Sequence, residues 1–254
     1  MKKFFGVGLV LMAVSACRTP VQLRDAHNYT IDQSSFYDSA SAAVLVPYQA
    51  SLTDSMSTII GHTETPLMNT RKTGNLGRVM ADYTLEYANR YCQENNQAPC
   101  DFAVLNNGGI RNSIGVGPIS LGHVFEVSPF ENKLVIVQLN GRQTAELLEF
   151  IAAQEGTPLA GAEIEFRSQA PFLVKAQVQG QAFDSRRSYR VATNDYMALG
   201  GDRFTMFLNP ESFEETPWMI RDVLLWGLGS ETQRLQHVQD RPQLRVYPSH
   251  ESQN

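Results

Sequence analysis

Apolar positions along this chain change period repeatedly, and each change marks an element. From Asn75 to Tyr91, the residues Leu76, Val79, Met80, Tyr83, Tyr87 and Tyr91 recur at steps of three and four. That spacing predicts an amphipathic helix with one buried stripe. A similar spacing runs from Ser39 to about Met56 through Ala42, Val44, Leu45, Tyr48, Leu52 and Met56, with Pro47 demanding a start or a kink. A third helix is expected over Thr144 to Ala153, with Leu147, Leu148 and Ile151 on one side. Between these lie apolar runs of strand length: Ser57 to Gly61, Asp101 to Leu105, Leu134 to Leu139, Ala162 to Phe166, Phe172 to Val178 and Tyr189 to Thr193. A last helix is expected from Pro217, as its first residue, to Leu228. Helices and strands that alternate without repeats or low-complexity tracts predict an α/β (α+β) fold, a layered single domain.

The first residues follow another logic. MKKFFGVGLVLMAVSAC places two lysines before an apolar run from Phe4 to Val14, then small residues before Cys17. The run is shorter than the roughly 20 residues that span a bilayer, so it reads as an export signal. Its ending resembles a bacterial lipoprotein signal, which implies cleavage after Ala16 and lipidation of Cys17. An ordinary secretory signal would leave Cys17 free. The expected organisation is a signal over 1–16, a polar tether over 17–37 and a domain over 38–248. Arg18 stands where an aspartate retains such lipoproteins at the inner membrane in some bacteria, which favours the periplasmic face of the outer membrane. Removing Lys2 and Lys3 with the signal moves the formal net charge from −5 to −7. No strongly basic domain remains, which argues against a nucleic-acid partner.

Cys92 and Cys100 flank the polar stretch QENNQAP. In an oxidising compartment they form either a disulfide or two separate thiols at a helix end and a strand start. No histidine accompanies them at ligand spacing, so a metal site there is not expected.

Three segments can carry chemistry. NNGGIR, Asn106 to Arg111, follows a strand; Gly108 and Gly109 let backbone N–H groups approach an anion, and Arg111 offers a planar fork of donors. Alone it reads equally as a turn with an exposed arginine, and it matches neither a Walker loop nor a dinucleotide fingerprint. NDYMALGGDRF, Asn194 to Phe204, sets Tyr196, Gly201 and Asp202 after another strand. An aromatic ring can stack on a base, and a carboxylate can accept from two sugar hydroxyls. Read alone, it is a strand ending in a turn with a surface aspartate. VSPFENKLVIVQLNG places Phe130 at the entrance to an apolar strand, where a phenylalanine is usually core.

Together the three resemble the C-terminal, substrate-binding domain of the 5'-nucleotidase family. That family has an Asn-Gly-Gly-Gly-Ile-Arg loop, a Pro-Phe before a strand ending in Leu-x-Gly, and an aromatic stretch leading to Gly-Gly-Asp-Gly-Phe/Tyr. Here stand Asn106 to Arg111, Pro129-Phe130 with Leu139-Asn140-Gly141, and Asn194-Asp195-Tyr196 through Phe204; Asn107 and Arg203 replace family glycines, and Tyr196 replaces the commoner Phe. Upstream, RKTGNLGRVMADYT resembles the Arg-x-x-x-x-Asn-Leu-Gly entry to the family's first long helix. The resemblance spans roughly Ser39 to Tyr247. It implies that Phe130 and Tyr196 clamp a nucleobase, Asn106 meets a base edge, Asp202 binds the ribose hydroxyls, and Arg111 with Arg71 serves the ribose and phosphate side.

In that family a separate metallophosphatase domain hydrolyses the ester with two metal ions. The five histidines, at 27, 62, 123, 237 and 250, lie in none of its metal motifs, so no catalytic residue, metal ligand or cofactor is assigned to this chain. His62 is read as a surface residue and His123 as packing. The resemblance implies the recognition half of a 5'-nucleotidase, with a separately encoded metallophosphatase partner that carries the divalent metals. The alternative is a non-catalytic nucleoside- or nucleotide-binding lipoprotein.

Overall fold

A computed structural model describes residues 38–70, 74–229 and 246–248. The expected signal, Cys17, the tether and Arg71 lie outside the described residues. Among those described, no helix is long and apolar enough to cross a membrane.

Helical backbone covers α1 (Ser39–Met56) with Pro47 inside it, so the proline is tolerated rather than starting the helix. It removes one backbone donor and leaves the neighbouring turns to carry the element. β1 (Ile59–Thr63) includes His62 and pairs antiparallel with β3 (Gly117–Ser120). Between them come α2 (Asn75–Glu94) and β2 (Phe102–Val104). The α2 stripe is as the spacing predicts: Leu76, Val79, Met80 and Tyr83 are buried.

α3 (Leu121–Val127) follows β3 directly. It is capped by Ser120, whose hydroxyl accepts from the His123 N–H while His123 Nδ1 accepts from the Ser120 N–H. His123 is thus a capping residue, a role that needs no ligand. β4 (Lys133–Leu139) leads into α4 (Gly141–Gln154), which Asn140 and Gln143 cap reciprocally. Then come β5 (Leu159–Ala160), β6 (Ala162–Phe166), β7 (Leu173–Val178), β8 (Gln181–Ala182) and β9 (Tyr189–Asn194). The short α5 (Asp195–Ala198), β10 (Ser212–Met219), α6 (Ile220–Gly229) and β11 (Val246–Pro248) complete the order.

One expected boundary is corrected. Pro217 lies in β10 rather than at a helix start, and α6 begins at Ile220. β10 is an edge strand whose register with β4 shifts between Glu215 and Met219, a place where a missing N–H costs no ladder bond. The Asp222 carboxylate accepts from the Met219 N–H at 2.9 Å and so closes the true helix start.

The central sheet has the order β10-β4-β9-β2-β5, with β2 and β9 parallel and every other pair antiparallel. Both faces are buried, and residue parity decides which core each side chain joins. In β4, Leu134 and Ile136 join the core with α2, α3 and α6, while Val135, Val137 and Leu139 join the core with α4, β6 and β7. β6 and β7 belong to a second sheet of order β11-β6-β7-β8. The result is a layered α/β domain in which one sheet is packed on both sides, each buried aliphatic contributing about 1.5–3 kcal/mol.

Cys92, in the last turn of α2, and Cys100, before β2, are both buried free thiols. The hydrogen bond between them draws Cys92 down to about 6, against the opposing effect of burial and with help from Arg190, whose Nη2 donates to its Sγ at 3.6 Å. The same bond pushes Cys100 up.

Candidate functional site

Strand order explains why distant segments meet. β2 and β9 are parallel neighbours, so the loops at their C-terminal ends, Asn106 onward and Asp195 onward, emerge side by side. β4 runs antiparallel to β9 with Leu134 opposite Asn194, which brings the segment entering β4, Phe130 to Asn132, to the same end. Ligand crevices in α/β sheets lie at this kind of strand end.

There a cleft of about 340 Å³ is lined by Asn106, Gly108, Gly109, Arg111, Phe130, Asn132, Tyr196 and Asp202. The cleft therefore unites seven residues expected from sequence with one that was not, Asn132. Gly201 adjoins it through the Tyr196 ring, and Arg71 lies outside the described residues. Asn132 sits two residues beyond Phe130 in the irregular segment just before β4, where no periodic signal marks it.

A chain of hydrogen bonds fixes the polar side. Asn194 Nδ2 donates to Asn106 Oδ1 (3.1 Å), Asn106 Nδ2 donates to Asp202 Oδ2 (2.7 Å), and the Tyr196 hydroxyl donates to Asp202 Oδ1 (3.0 Å). Asn194 in turn caps α5 by accepting from the Met197 N–H at 2.8 Å. Asn106 is only 6% exposed. Its amide lines the cleft while donating to Asp202 and accepting from Asn194, whereas the half-buried Asn132 amide is not engaged in that chain.

Glycines allow this close approach. A Cβ on Gly109 would sit 3.0 Å from Asn106 Oδ1, and one on Gly108 would sit 3.3 Å from Asp202 Oδ2. Asn107 turns its amide away to the Gly156 carbonyl, at 2.7 Å, which anchors the glycine turn to the loop after α4. Asp202 and Arg203 hold left-handed backbone, with φ of 50° and 67°. Arg203 therefore holds a backbone conformation that glycine adopts without strain.

The aromatic side is open. Phe130 and Tyr196 are each 44% exposed, far above the domain's buried aromatics such as Phe102 and Phe207. Two large rings left half in water on one cleft form a surface suited to a flat apolar guest. Arg111 lies at the rim, its guanidinium 6.0 Å from the Phe130 centroid and Nη1 donating to the Gly108 carbonyl at 3.4 Å. A ring-binding slot, a braced carboxylate and an exposed cation thus share one cleft. Among the described residues no cluster of His, Cys, Asp or Glu could hold a metal ion.

Residues 59–209 match the family model described as 5'-nucleotidase, C-terminal domain. The chain is 26% identical over 197 residues to a 5'-nucleotidase of Vibrio cholerae serotype O1, covering 74% of this chain and 34% of that protein. It is 32% identical over 130 residues to protein UshA of Escherichia coli K12, covering 49% of this chain and 23% of that protein. The solved structure of a 5'-nucleotidase precursor from Thermus thermophilus shares the fold with a TM-score of 0.63 and 26% identity, covering 76% of this chain and 40% of that one. The chain spans about a quarter to a third of the length of the curated relatives it matches. Because the match runs from β1 through the loops that carry Phe130, Tyr196 and Asp202, this chain belongs to the 5'-nucleotidase C-terminal domain family.

Proposed function

We propose that the cleft binds a nucleoside or nucleotide. The base inserts between Phe130 and Tyr196, Asp202 accepts from the ribose hydroxyls, the Asn132 amide meets the base edge, and Arg111 with Arg71 serves the phosphate side. The observation that carries this reading is the pairing of two half-exposed rings with a carboxylate braced by Asn106 and Tyr196. Gly108, Gly109 and Gly201 supply the close packing that holds these groups in place.

In this reading the chain is the recognition half of an exported, lipid-anchored 5'-nucleotidase in nucleotide catabolism, and a separate metallophosphatase supplies metals and hydrolysis. Support comes from the family match together with the lack of a metal-binding cluster among the described residues. That same lack favours a second reading, in which the chain binds nucleosides or nucleotides for scavenging or delivery without any catalytic partner.

Calorimetry with adenosine and AMP tests the cleft. Phe130→Ala and Tyr196→Ala should each weaken binding by about 1 to 3 kcal/mol, the worth of one base–aromatic stack. Unchanged affinity in both variants would remove the clamp. Mixing the protein with periplasmic metallophosphatases separates the two readings: a faster AMP hydrolysis supports the split enzyme, and unchanged rates support binding alone.

A further inference from the structure

The Gly200 to Phe204 loop contains a feature that the base clamp does not use. Asp202 and Arg203 are consecutive non-glycine residues in left-handed backbone. The conformation of Asp202 is accounted for by its bonds to Asn106 and Tyr196. Arg203 has no comparable account: it is exposed and forms no hydrogen bond or ion pair among the described residues. Glycine would take this backbone without strain, so an arginine at this position points to a use for its side chain.

Arg203 lines a second cleft of about 450 Å³ that shares Asn106, Gly108 and Asp202 with the first. Asp202 therefore stands between two clefts. The wall beyond it is formed by Gln154, the last residue of α4, and Thr157, in the loop that follows; both are half-buried and uncharged. A ribose bound at Asp202 would place its 2' and 3' oxygens at the boundary, and a substituent on either would enter this second space. We propose that the second cleft is a subsite for a phosphoryl group on the 2' or 3' oxygen of the bound ribose, with Arg203 as its specificity-determining residue. The inference rests on reading the first cleft as a nucleoside site.

The electrostatics make Arg203 decisive. The Asp202 carboxylate and the carbonyl end of α4 both oppose an anion at this place. Arg203 supplies the planar, permanently charged fork that pairs with phosphate oxygens, and among the described residues it is the one cation in the cleft's lining. Without it the subsite repels the group that it otherwise holds.

The test is calorimetric titration of the full mature chain with adenosine and with its 5'-, 2'- and 3'-monophosphates. It compares the unaltered protein with Arg203→Gly and Arg203→Lys. The readout is the affinity of each phosphate relative to adenosine in the same variant, which cancels any general change in the loop. The 2'- or 3'-monophosphate is expected to bind about tenfold tighter than adenosine in the unaltered protein. That ratio should fall to one or below in Arg203→Gly and be kept in part by Arg203→Lys, which retains charge but not the fork. It should also shrink as salt is raised. A ratio that is the same in the unaltered protein and Arg203→Gly overturns the inference while leaving the nucleoside site intact. Failure of adenosine itself to bind overturns the nucleoside reading and this inference with it.

Discussion

Replacing Gly201 by alanine tests the clamp without touching any group that contacts ligand. A Cβ there would lie 2.5 Å from both Cε1 and Cζ of Tyr196 and 2.6 Å from the Tyr196 carbonyl oxygen. Contacts this short cannot persist, and the backbone at Gly201 is not left-handed, so the cost is steric rather than conformational. The neighbour that can yield is the Tyr196 ring, which is 44% exposed and has space to swing outward. Swinging removes it from the slot and breaks its hydrogen bond to Asp202. Losing one stack is worth about 1 to 3 kcal/mol, so adenosine affinity should fall about fivefold to 150-fold. Stability should fall as well, because the Tyr196 carbonyl oxygen is backbone and cannot swing aside with the ring, so the turn at Gly201 must itself shift; a lowered melting temperature reads that cost. The control is Gly115→Ala, where an added Cβ meets nothing within 4 Å, and which should leave binding and melting temperature unaltered. Gly201→Ala with wild-type affinity would show that the Tyr196 ring is not held in place by this contact, or does not stack on the ligand.

Four further outcomes follow from the same geometry. Tyr196→Phe keeps the ring but removes the donor to Asp202 Oδ1, so it should cost adenosine affinity about 1 kcal/mol, and its effect should not add to that of Asp202→Asn in a double-mutant cycle. Arg203→Gly relieves left-handed backbone at φ 67° and should raise the denaturation midpoint by about 1 kcal/mol of stability, read from urea unfolding. We propose that Cys92 and Cys100 close a disulfide under oxidising conditions; for so short a loop it should stabilise the domain by roughly 2 to 3 kcal/mol, checked by thiol titration and by melting with and without reductant. In the reduced protein, Cys92 falls to about 6 from an ordinary value of 9.0, so the unfolded chain binds the extra proton between those values. Its stability contribution is therefore present above pH 9 and lost as pH falls through 6. A urea midpoint that climbs with pH across that window, and flattens in Cys92→Ser, is the expected result.

The fold was legible where local period and packing agree. Ala162 to Phe166 was read with the bounds that β6 takes, and the α2 stripe buries Leu76, Val79, Met80 and Tyr83 while Tyr87 and Tyr91 are partly buried. Pro217 misled because its preference for a first helical turn is shared by edge strands, and only the pairing of β10 with β4 tells these apart. The short helix α3 was missed since Leu121 to Val127 is too short to show a period; its Ser120 and His123 cap becomes visible only in three dimensions.

The candidate site divides in the same way. By itself the chain's order of residues determined which segments matter: glycines after a strand, an aromatic before one, and an aromatic with a carboxylate after another, each set by local backbone needs. Tertiary structure alone decided that Asn106 braces Asp202 across 96 positions of sequence and that Asn132 joins the cleft. It also decided that Arg203 borders a second cleft. The physical reason is strand pairing. Periodicity tells which face a side chain occupies, but the placement of β9 between β2 and β4 is a non-local choice, and that choice brings three separate loops to one end of the sheet.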